Sequence, residues 1–330
     1  MDTVEYSEDG RSVILDVHNY AQRITMAVIF TVVYQREGEI DFDAIEEYWT
    51  SSTKKTEKMV LHPAVKLSAA LPFLAPILSW AMRFNLMGQM NMRVNDYIDT
   101  YLKTYQATRR GQQDYKRKML DGLIDAFVER KINKEQYVGS ANFLLLAGYE
   151  TTAATISCLL WQLVRHIDIQ TKLREAIMNE GLNADYVVWC IMETIRWHPP
   201  VPLGVGRVIG EDITTNDGLF LAKGTFVMPS IYSIHHDESI WPEHDKFIPE
   251  RWQRSSKFHP AAFMGFGLGP RNCVGGKMAI HEIKLVLSAI LPRYKLTQCE
   301  ATPDQYNFAS PGMIYTIPDE KVKIRFTRLD

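Results

Sequence analysis

The chain has 330 residues, of which 46% are hydrophobic and 23% are charged, and its formal net charge is -2. A chain of this length and composition can bury one large core or two ordinary ones, as soluble globular proteins do. The near-neutral charge gives no reason to expect nucleic acid or another polyanion as a partner. The cysteines are widely spaced, with no C-x-x-C pair, so the sequence predicts neither a disulfide framework nor a structural zinc site and favours a reducing compartment. They are Cys158, Cys190, Cys273 and Cys299.

The N-terminal sequence MDTVEYSEDGRS is polar and acidic and has no signal-peptide pattern. The first apolar run, Ile24 to Val33, is too short to cross a bilayer, so the sequence predicts no membrane anchor in this chain. Residues 67–82 (LSAALPFLAPILSWAM) are apolar, but Pro72 and Pro76 interrupt them. Two interpretations stay open for this segment: a buried helix–turn unit, or a patch that dips into a membrane surface.

Most of the first 198 residues have helical hydrophobic patterns. Apolar residues recur at helical spacing, and Asp41 or Asp43 can cap the second of these segments. The longest segment has an apolar middle on all sides, which predicts a helix buried in a large protein. The predicted helices span residues 16–34, 41–60, 94–110, 115–130, 134–166, 168–180 and 184–197.

An unusual hexapeptide, AGYETT at residues 147–152, lies inside the longest predicted helix. Burying an acid beside a hydroxyl, as Glu150 and Thr151 require, costs free energy unless both groups are paired or used. Gly148 also destabilises a helix by roughly 1 kcal/mol relative to alanine. A hydroxyl that bonds back to its own helix would explain a single threonine. That interpretation does not explain the whole hexapeptide.

A charged pair and a proline-flanked segment come next along the chain. Glu193 and Arg196 are three residues apart on a predicted helix, so their side chains share a face and can pair. Taken alone, such a pair is usually an ordinary surface ion pair of little energetic value. Residues 249–252 read PERW and contain Arg251.

The pattern changes at residues 198–200, where prolines end the helical region. Residues 201–234 contain short β-type runs broken by glycines, and residues 235–262 are irregular. Residues 293–330 are predicted to form a closing β-hairpin region. With no repeat or flexible linker, the sequence predicts one mainly α domain with a small β part.

Three histidines lie in the irregular region: His235, His236 and His244. They lack the spacing of a metal site. We expect all three to be surface residues.

A glycine-rich loop with one cysteine precedes the last helix-like stretch, and residues 263–276 read FMGFGLGPRNCVGG. Glycines let a backbone turn tightly and approach a flat ligand. A helix N-terminus and Arg271 favour the thiolate form of Cys273, and a cysteine thiolate is a known axial ligand of haem iron. Two other interpretations are a small buried hydrophobic cysteine and a phosphate-binding loop, although no convincing strand precedes it.

The complete loop pattern resembles the haem-binding loop of the cytochrome P-450 family, F-x-x-G-x-R-x-C-x-G. All five defined positions match, namely Phe266, Gly269, Arg271, Cys273 and Gly275. The hexapeptide at 147–152 is similar to that family's oxygen-binding motif, [AG]-G-x-[DE]-T-[TS]. The E-x-x-R pair and the PERW segment match two further motifs, and all four occur in the family's order.

The resemblance implies a cytochrome P-450 fold with haem b as cofactor and Cys273 as the axial ligand of its iron. It makes Phe266, Gly269 and Gly275 parts of the haem-binding loop. Arg271 and Arg207 would contact the haem propionates, because a guanidinium suits a carboxylate.

On the opposite side of the haem, the resemblance implies an opening above the iron at Ala147 and Gly148. Glu150 and Thr151 would deliver protons to bound dioxygen. Glu193, Arg196 and Arg251 would form a structural network without a chemical role.

The implied activity is that of a monooxygenase that inserts one oxygen atom from dioxygen into an apolar small molecule of the sterol, fatty acid or xenobiotic class. NADPH would supply electrons through a reductase that docks on the proximal face. The implied location is the cytosolic face of the endoplasmic reticulum membrane, with a peripheral membrane contact at residues 67–82.

The resemblance implies a single haem-binding domain over residues 1–330. Residues 1–198 would be mostly helical and form the distal side. A small β region and irregular meander would occupy 199–262. The thiolate loop, the proximal helix and a C-terminal β region would occupy 263–330.

Trp161 and Arg165 match the family's W-x-x-x-R pattern, but they lie ten residues past Thr151 in the predicted distal helix, so we interpret this match as chance. The family's anchor, its first β-sheet and the W-x-x-x-R motif of its third helix are otherwise not found in this sequence, so we expect an N-terminally truncated member of the microsomal eukaryotic type. Two alternatives stay open. One is a non-catalytic remnant that does not retain haem. The other is a haem-thiolate isomerase or dehydratase, which rearranges a peroxide without external oxygen.

Overall fold

The structure is a computed structural model, and it describes residues 5–6, 10–32, 119–309 and 315–329. The predicted helices at 41–60 and 94–110 and the apolar segment at 67–82 lie outside these residues. The chain divides into two compact units. The first comprises Met1–Gln22 and Glu150–Asp330, and the second comprises Arg23–Tyr149.

Helices account for about half of the described backbone. Four of the predicted helices agree with the structure to within two residues at each end. The helix predicted at 115–130 is observed over Met119–Val128, and residues 115–118 lie outside the described residues. The helices are α1 (Val17–Val32), α2 (Met119–Val128), α3 (Lys134–Arg165), α4 (Ile167–Glu180), α5 (Asp185–Trp197), α6 (Ile231–His235) and α7 (Gly276–Ile290), with 3-10 turns at Gly181–Asn183, Pro249–Lys257 and Gly269–Arg271.

Local side-chain chemistry fixes the start of the longest helix. The Asn133 side chain accepts a hydrogen bond from the Gln136 amide at 2.8 Å, and the Gln136 side chain accepts one from the Asn133 amide at 2.9 Å. This reciprocal pair satisfies amide groups that would otherwise lack a partner at a helix N-terminus. At the other end, His166 has an extended backbone (φ −122°, ψ 79°) that separates α3 from α4. Within the described residues, no helix is long and apolar enough to cross a membrane.

The strands are short and form small antiparallel sheets. A four-stranded sheet has the order β1-β2-β10-β7, and three two-stranded sheets pair β3 with β6, β4 with β5 and β8 with β9. The strands are β1 (Glu5–Tyr6), β2 (Ser12–Asp16), β3 (Arg207–Val208), β4 (Ile213–Thr214), β5 (Phe220–Leu221), β6 (Phe226–Val227), β7 (Tyr294–Thr297), β8 (Phe308–Ala309), β9 (Ile317–Pro318) and β10 (Lys323–Arg328).

The structure corrects parts of the strand prediction. The C-terminal region is not a single hairpin, because β10 pairs with β7 on one edge and with the unpredicted N-terminal strand β2 on the other. The last apolar part of the β-type run at 201–234 starts the short helix α6. The segment at Pro249–Lys257, predicted to be irregular, is a 3-10 helix.

The main core of the first unit is apolar and lies where α3, α4, α5 and α7 pack with the four-stranded sheet. A single buried amide joins three of these elements. The Gln170 side chain of α4 donates to the carbonyls of Leu163 and Leu296 at 2.9 and 3.0 Å, and it accepts from the Leu296 amide at 3.0 Å. Gln170 therefore satisfies backbone groups of α3 and β7 that water cannot reach.

We predict that Gln170→Leu lowers the free energy of unfolding by roughly 2–4 kcal/mol, because leucine leaves these backbone groups buried without partners. Glu175→Leu, on the exposed side of the same helix, is the matched control and is expected to change it by less than about 0.5 kcal/mol. Urea denaturation of both variants measures the difference. Equal effects would show that Gln170 is not a structural link.

Candidate functional site

The cysteine loop is closed by its own backbone just before α7. Gly267 and Gly269 both have φ of +70°, a left-handed conformation that side chains disfavour. The Cys273 amide donates to the Phe266 carbonyl at 2.7 Å. These turns place Cys273 three residues before the start of α7 at Gly276.

The Phe266 ring packs on the first turn of α7. A Cβ atom added at Gly276 would lie 3.1 Å from Phe266 Cδ1, so this close approach depends on glycine. Gly275, in contrast, has open space where a Cβ would lie. Close packing therefore involves Phe266 and Gly276, and the space around Gly275 does not require a glycine.

Of the four cysteines, Cys273 alone is exposed. Burial raises the pKa of the Cys158 and Cys190 thiols well above their ordinary value, so both stay protonated. Cys299 is half-buried, and its sulfur accepts a hydrogen bond from the Thr302 hydroxyl. Cys273 therefore differs from the other three cysteines in its exposure to solvent.

The two arginines that are predicted to contact the haem propionates, Arg271 and Arg207, are both exposed. Arg271 ends the 3-10 turn inside the loop, two residues from Cys273. Arg207 lies in β3, where its guanidinium donates to the carbonyls of Val205 and Gly206 at 2.9 and 3.0 Å. Their contact with a propionate stays a prediction.

The chemistry of the loop fits haem better than a bare metal ion. Among the described residues, no group of three or more His, Cys, Asp or Glu side chains is placed to hold a metal. A haem iron needs less from the protein, since the macrocycle supplies four nitrogens and one cysteine thiolate completes the proximal side. An exposed cysteine on a glycine-rich loop fits that requirement, and the assignment of Cys273 as the haem ligand stays a prediction.

Glu150 in α3 is buried and has partners that the sequence analysis missed. Its carboxylate accepts from Gln22 Nε2 at 3.1 Å to each oxygen, and it lies 3.1 Å from His18 Nε2. Both partners lie on α1, at sequence separations of 128 and 132 residues, so no local pattern indicates them. His18 Nδ1 is buried without a hydrogen-bond partner among the described residues.

The other three residues of the predicted oxygen-binding site lie on the same helix. The Thr151 carbonyl accepts from the Thr155 hydroxyl at 2.9 Å. Gly148 lies against α1, because a Cβ at this position would be 2.4 Å from Ile29 Cδ1. Ala147 precedes it and is half-buried. The opening above the iron at Ala147 and Gly148 stays a prediction.

The predicted charged network is assembled in the structure. Arg196 forms a bidentate ion pair with Glu193, with both distances 2.9 Å and both side chains fully buried. Arg251 Nε lies 3.2 Å from Glu193 Oε1, and the Trp252 indole donates to Glu193 Oε2 at 3.1 Å. The Ile248 amide adds a further bond to Glu193 at 3.0 Å. This carboxylate is therefore surrounded by donors, as a buried charge requires.

Arg196 also fixes the irregular chain that follows α6. Its guanidinium donates to the carbonyls of His235, His244 and Lys246 at 2.9, 2.9 and 3.1 Å. Arg251 donates in the same region to the carbonyls of Pro242 and Glu243. Between α6 and the 3-10 helix that begins at Pro249, the chain is thus held through its carbonyls by two arginines rather than by regular secondary structure.

The prediction that His235 is a surface residue is wrong. Its side chain is fully buried, and burial, followed by the nearby charge of Arg196, lowers its pKa to about 4. His236 and His244 are half-buried. No local sequence pattern indicates this difference, because the burial of His235 depends on contacts with α5 and the cysteine loop.

Comparison with known proteins connects this geometry to one family. The sequence model of the family described as Cytochrome P450 matches residues 2–325. Cytochrome P450 3A31 of Mesocricetus auratus is 30% identical over 265 residues, which cover 74% of this chain and 51% of that protein. Cytochrome P450 3A7 of Homo sapiens is 27% identical over 298 residues (84% and 59%), and Cytochrome P450 4A6 of Oryctolagus cuniculus is 34% identical over 202 residues (56% and 39%). The chain spans about half the length of the curated relatives it matches.

We predict that Glu193→Gln lowers the free energy of unfolding by about 3–5 kcal/mol, because it leaves the Arg196 charge buried without its counter-ion. Glu250→Gln is the matched control. Glu250 pairs with Lys172 at 2.6 Å, but both side chains are about half exposed (42% and 53%). The control should change the free energy by no more than about 1 kcal/mol.

Urea or guanidinium denaturation of the two variants measures both values. Similar small losses would mean that the buried network does not stabilise the fold.

Proposed function

The chain belongs to the cytochrome P450 family, and from this premise we propose that it is a haem-thiolate monooxygenase that oxidises an apolar small molecule. The single observation that carries the proposal is the exposed Cys273 sulfur on a closed loop at the start of α7. A thiolate in this position is the ligand that the family's chemistry requires.

In this proposal, Cys273 would bind the iron of haem b, and Arg271 and Arg207 would bind its propionates. Haem bound in this way would supply dioxygen activation, which a thiolate ligand assists by favouring O–O cleavage. Cys273 lies three residues before the N-terminus of α7 at Gly276, and the N-terminal end of a helix is where negative charge is favoured.

Proton delivery is the role we propose for Glu150 and Thr151. The Glu150 carboxylate lies within hydrogen-bond distance of His18 Nε2, so His18 can return a proton to Glu150 after each transfer. Gln22 donates to both carboxylate oxygens and holds them in place. Thr151 follows Glu150 directly and supplies the hydroxyl that passes the proton on.

The partners follow from the same proposal. A reductase that carries electrons from NADPH would dock on the face around Cys273, where Val274 is 80% exposed and Leu268 is 43% exposed. Residues 199–206 would line the pocket for a sterol, fatty acid or xenobiotic substrate. The proposed location is the cytosolic face of the endoplasmic reticulum membrane.

The first test is the reduced, carbon-monoxide difference spectrum of the purified chain. We expect the band of a thiolate-bound carbonyl haem, its loss in Cys273→Ser, and its retention in the matched control Cys299→Ser. An unchanged band in Cys273→Ser would refute the ligand assignment. A wild-type chain without any haem signal would support the remnant that does not retain haem.

A second test separates proton delivery from haem binding. Glu150→Gln should reduce dioxygen-dependent turnover by on the order of 10²-fold, the usual contribution of a positioned acid. Turnover with added peroxide should fall less, because peroxide already carries the two electrons and the protons. Glu175→Gln is the control. Equal losses with dioxygen and with peroxide would contradict the proton-delivery role. Peroxide rearrangement without a reductase would favour the isomerase.

A further inference from the structure

His235, the last residue of α6, connects α5, the helix that carries Glu193 and Arg196, to the cysteine loop. Its Nε2 lies 3.0 Å from the Met264 amide nitrogen, and its Nδ1 lies 3.2 Å from the Arg196 carbonyl oxygen. A backbone amide can only donate and a carbonyl can only accept. The ring is therefore neutral, with its hydrogen on Nδ1.

The connection to α5 is made twice. While His235 donates to the Arg196 carbonyl, the Arg196 guanidinium donates back to the His235 carbonyl at 2.9 Å. The same guanidinium is held by Glu193. His235 is thus fixed by the buried ion pair and cannot turn away from α5 without breaking bonds to it.

The stem of the cysteine loop, residues 263–265, packs against His235 and the end of α5. The Phe263 ring stacks on the His235 ring with centroids 5.1 Å apart and an angle of 3°. A Cβ at Gly265 would lie 2.3 Å from Ile195 Cγ2, so the backbone here touches the end of α5. Met264, between them, has its amide bound to His235.

We propose that His235 is a positioning residue for Cys273, which holds the stem of the loop through the Met264 amide and transmits to it the geometry of the buried Glu193–Arg196 pair. Nothing in the sequence motifs assigns this histidine a role. The inference rests on the proposed function only in naming Cys273 as the iron ligand.

The positioning requires the neutral ring. Protonation would place a hydrogen on Nε2 facing the Met264 amide hydrogen, and the bond would be lost. Among the described residues, the titratable groups that act on the ring are the Arg196 guanidinium of α5 and the neighbouring His236, while the rings of Trp241 and Phe263 bring no charge. Arg196 carries a positive charge and His236 can gain one, so both oppose a second proton on His235.

The pH dependence of this positioning follows from the direction in which the pKa of His235 is shifted. The pKa falls from 6.5 to about 4 in the folded chain, so the folded state prefers the neutral form. The stabilisation is complete above pH 6.5 and is lost as the pH falls through about 4.

Two variants separate the hydrogen bonds from the packing. In His235→Gln, the amide can donate to the Arg196 carbonyl and accept from the Met264 amide, without a titratable group. In His235→Phe, the ring can still stack on Phe263, but both hydrogen bonds are lost.

Hydrogen exchange of the purified, haem-free full chain, followed by mass spectrometry, tests the inference. For a peptide covering residues 263–273, we expect the phenylalanine variant to exchange at least about tenfold faster than wild type, the glutamine variant to stay within about threefold, and α4 peptides to be unchanged. Wild-type protection, corrected for intrinsic exchange, should fall between pH 6.5 and pH 4. The glutamine variant should show no such step.

The inference is overturned if the phenylalanine variant retains wild-type protection, or if the glutamine variant loses protection to the same degree. It is also overturned if the glutamine variant keeps the acid step. Should the phenylalanine variant fail to fold, the pH profile of the glutamine variant still decides. Since this assay needs no haem, its failure is distinct from the absence of a thiolate-type spectrum, which would count against the proposed function alone.

Discussion

The buried ion pair between Glu193 and Arg196 is the constraint on which the rest of the proximal side depends. Removing two charges from water costs several kcal/mol for each ion, and only complete hydrogen bonding offsets that cost. Glu193 meets this requirement with the donors of Arg196, Arg251 and Trp252. Arg196 uses its remaining donors on backbone carbonyls of the chain after α6. A segment with little regular structure is thereby fixed in one arrangement.

The buried ion pair is also connected to the cysteine loop, through the neutral imidazole of His235. Arg196 holds His235, and His235 holds the Met264 amide. A thiolate ligand needs a rigid loop, because its sulfur must stay at one distance from the iron. Glycine turns alone make a loop tight without fixing its place in the fold. The ion pair and the histidine supply that second requirement, and they contribute no ligand of their own.

Local sequence was sufficient for the parts of the fold that local forces determine. The periodicity of residues 134–166 predicts α3, and the spacing of Glu193 and Arg196 predicts their pairing. Strand β2 was missed because its partner β10 is at the other end of the chain, with Ser12 and Thr327 in contact at a separation of 315 residues. The burial of His235 was missed for the same reason.

Glu150, the acid of the predicted oxygen-binding motif, likewise depends on side chains that lie far from it in the sequence. A carboxylate inside an apolar helix is tolerated only when other groups replace its water, and for Glu150 those groups are Gln22 and His18 of α1. In the proposed function the motif supplies the reacting carboxylate, while the distant Gln22 and His18 side chains hold it in one orientation. At both Glu150 and Met264, a histidine far along the sequence makes the supporting bond. Substitutions at such positions should therefore alter the chemistry while leaving every recognisable motif intact.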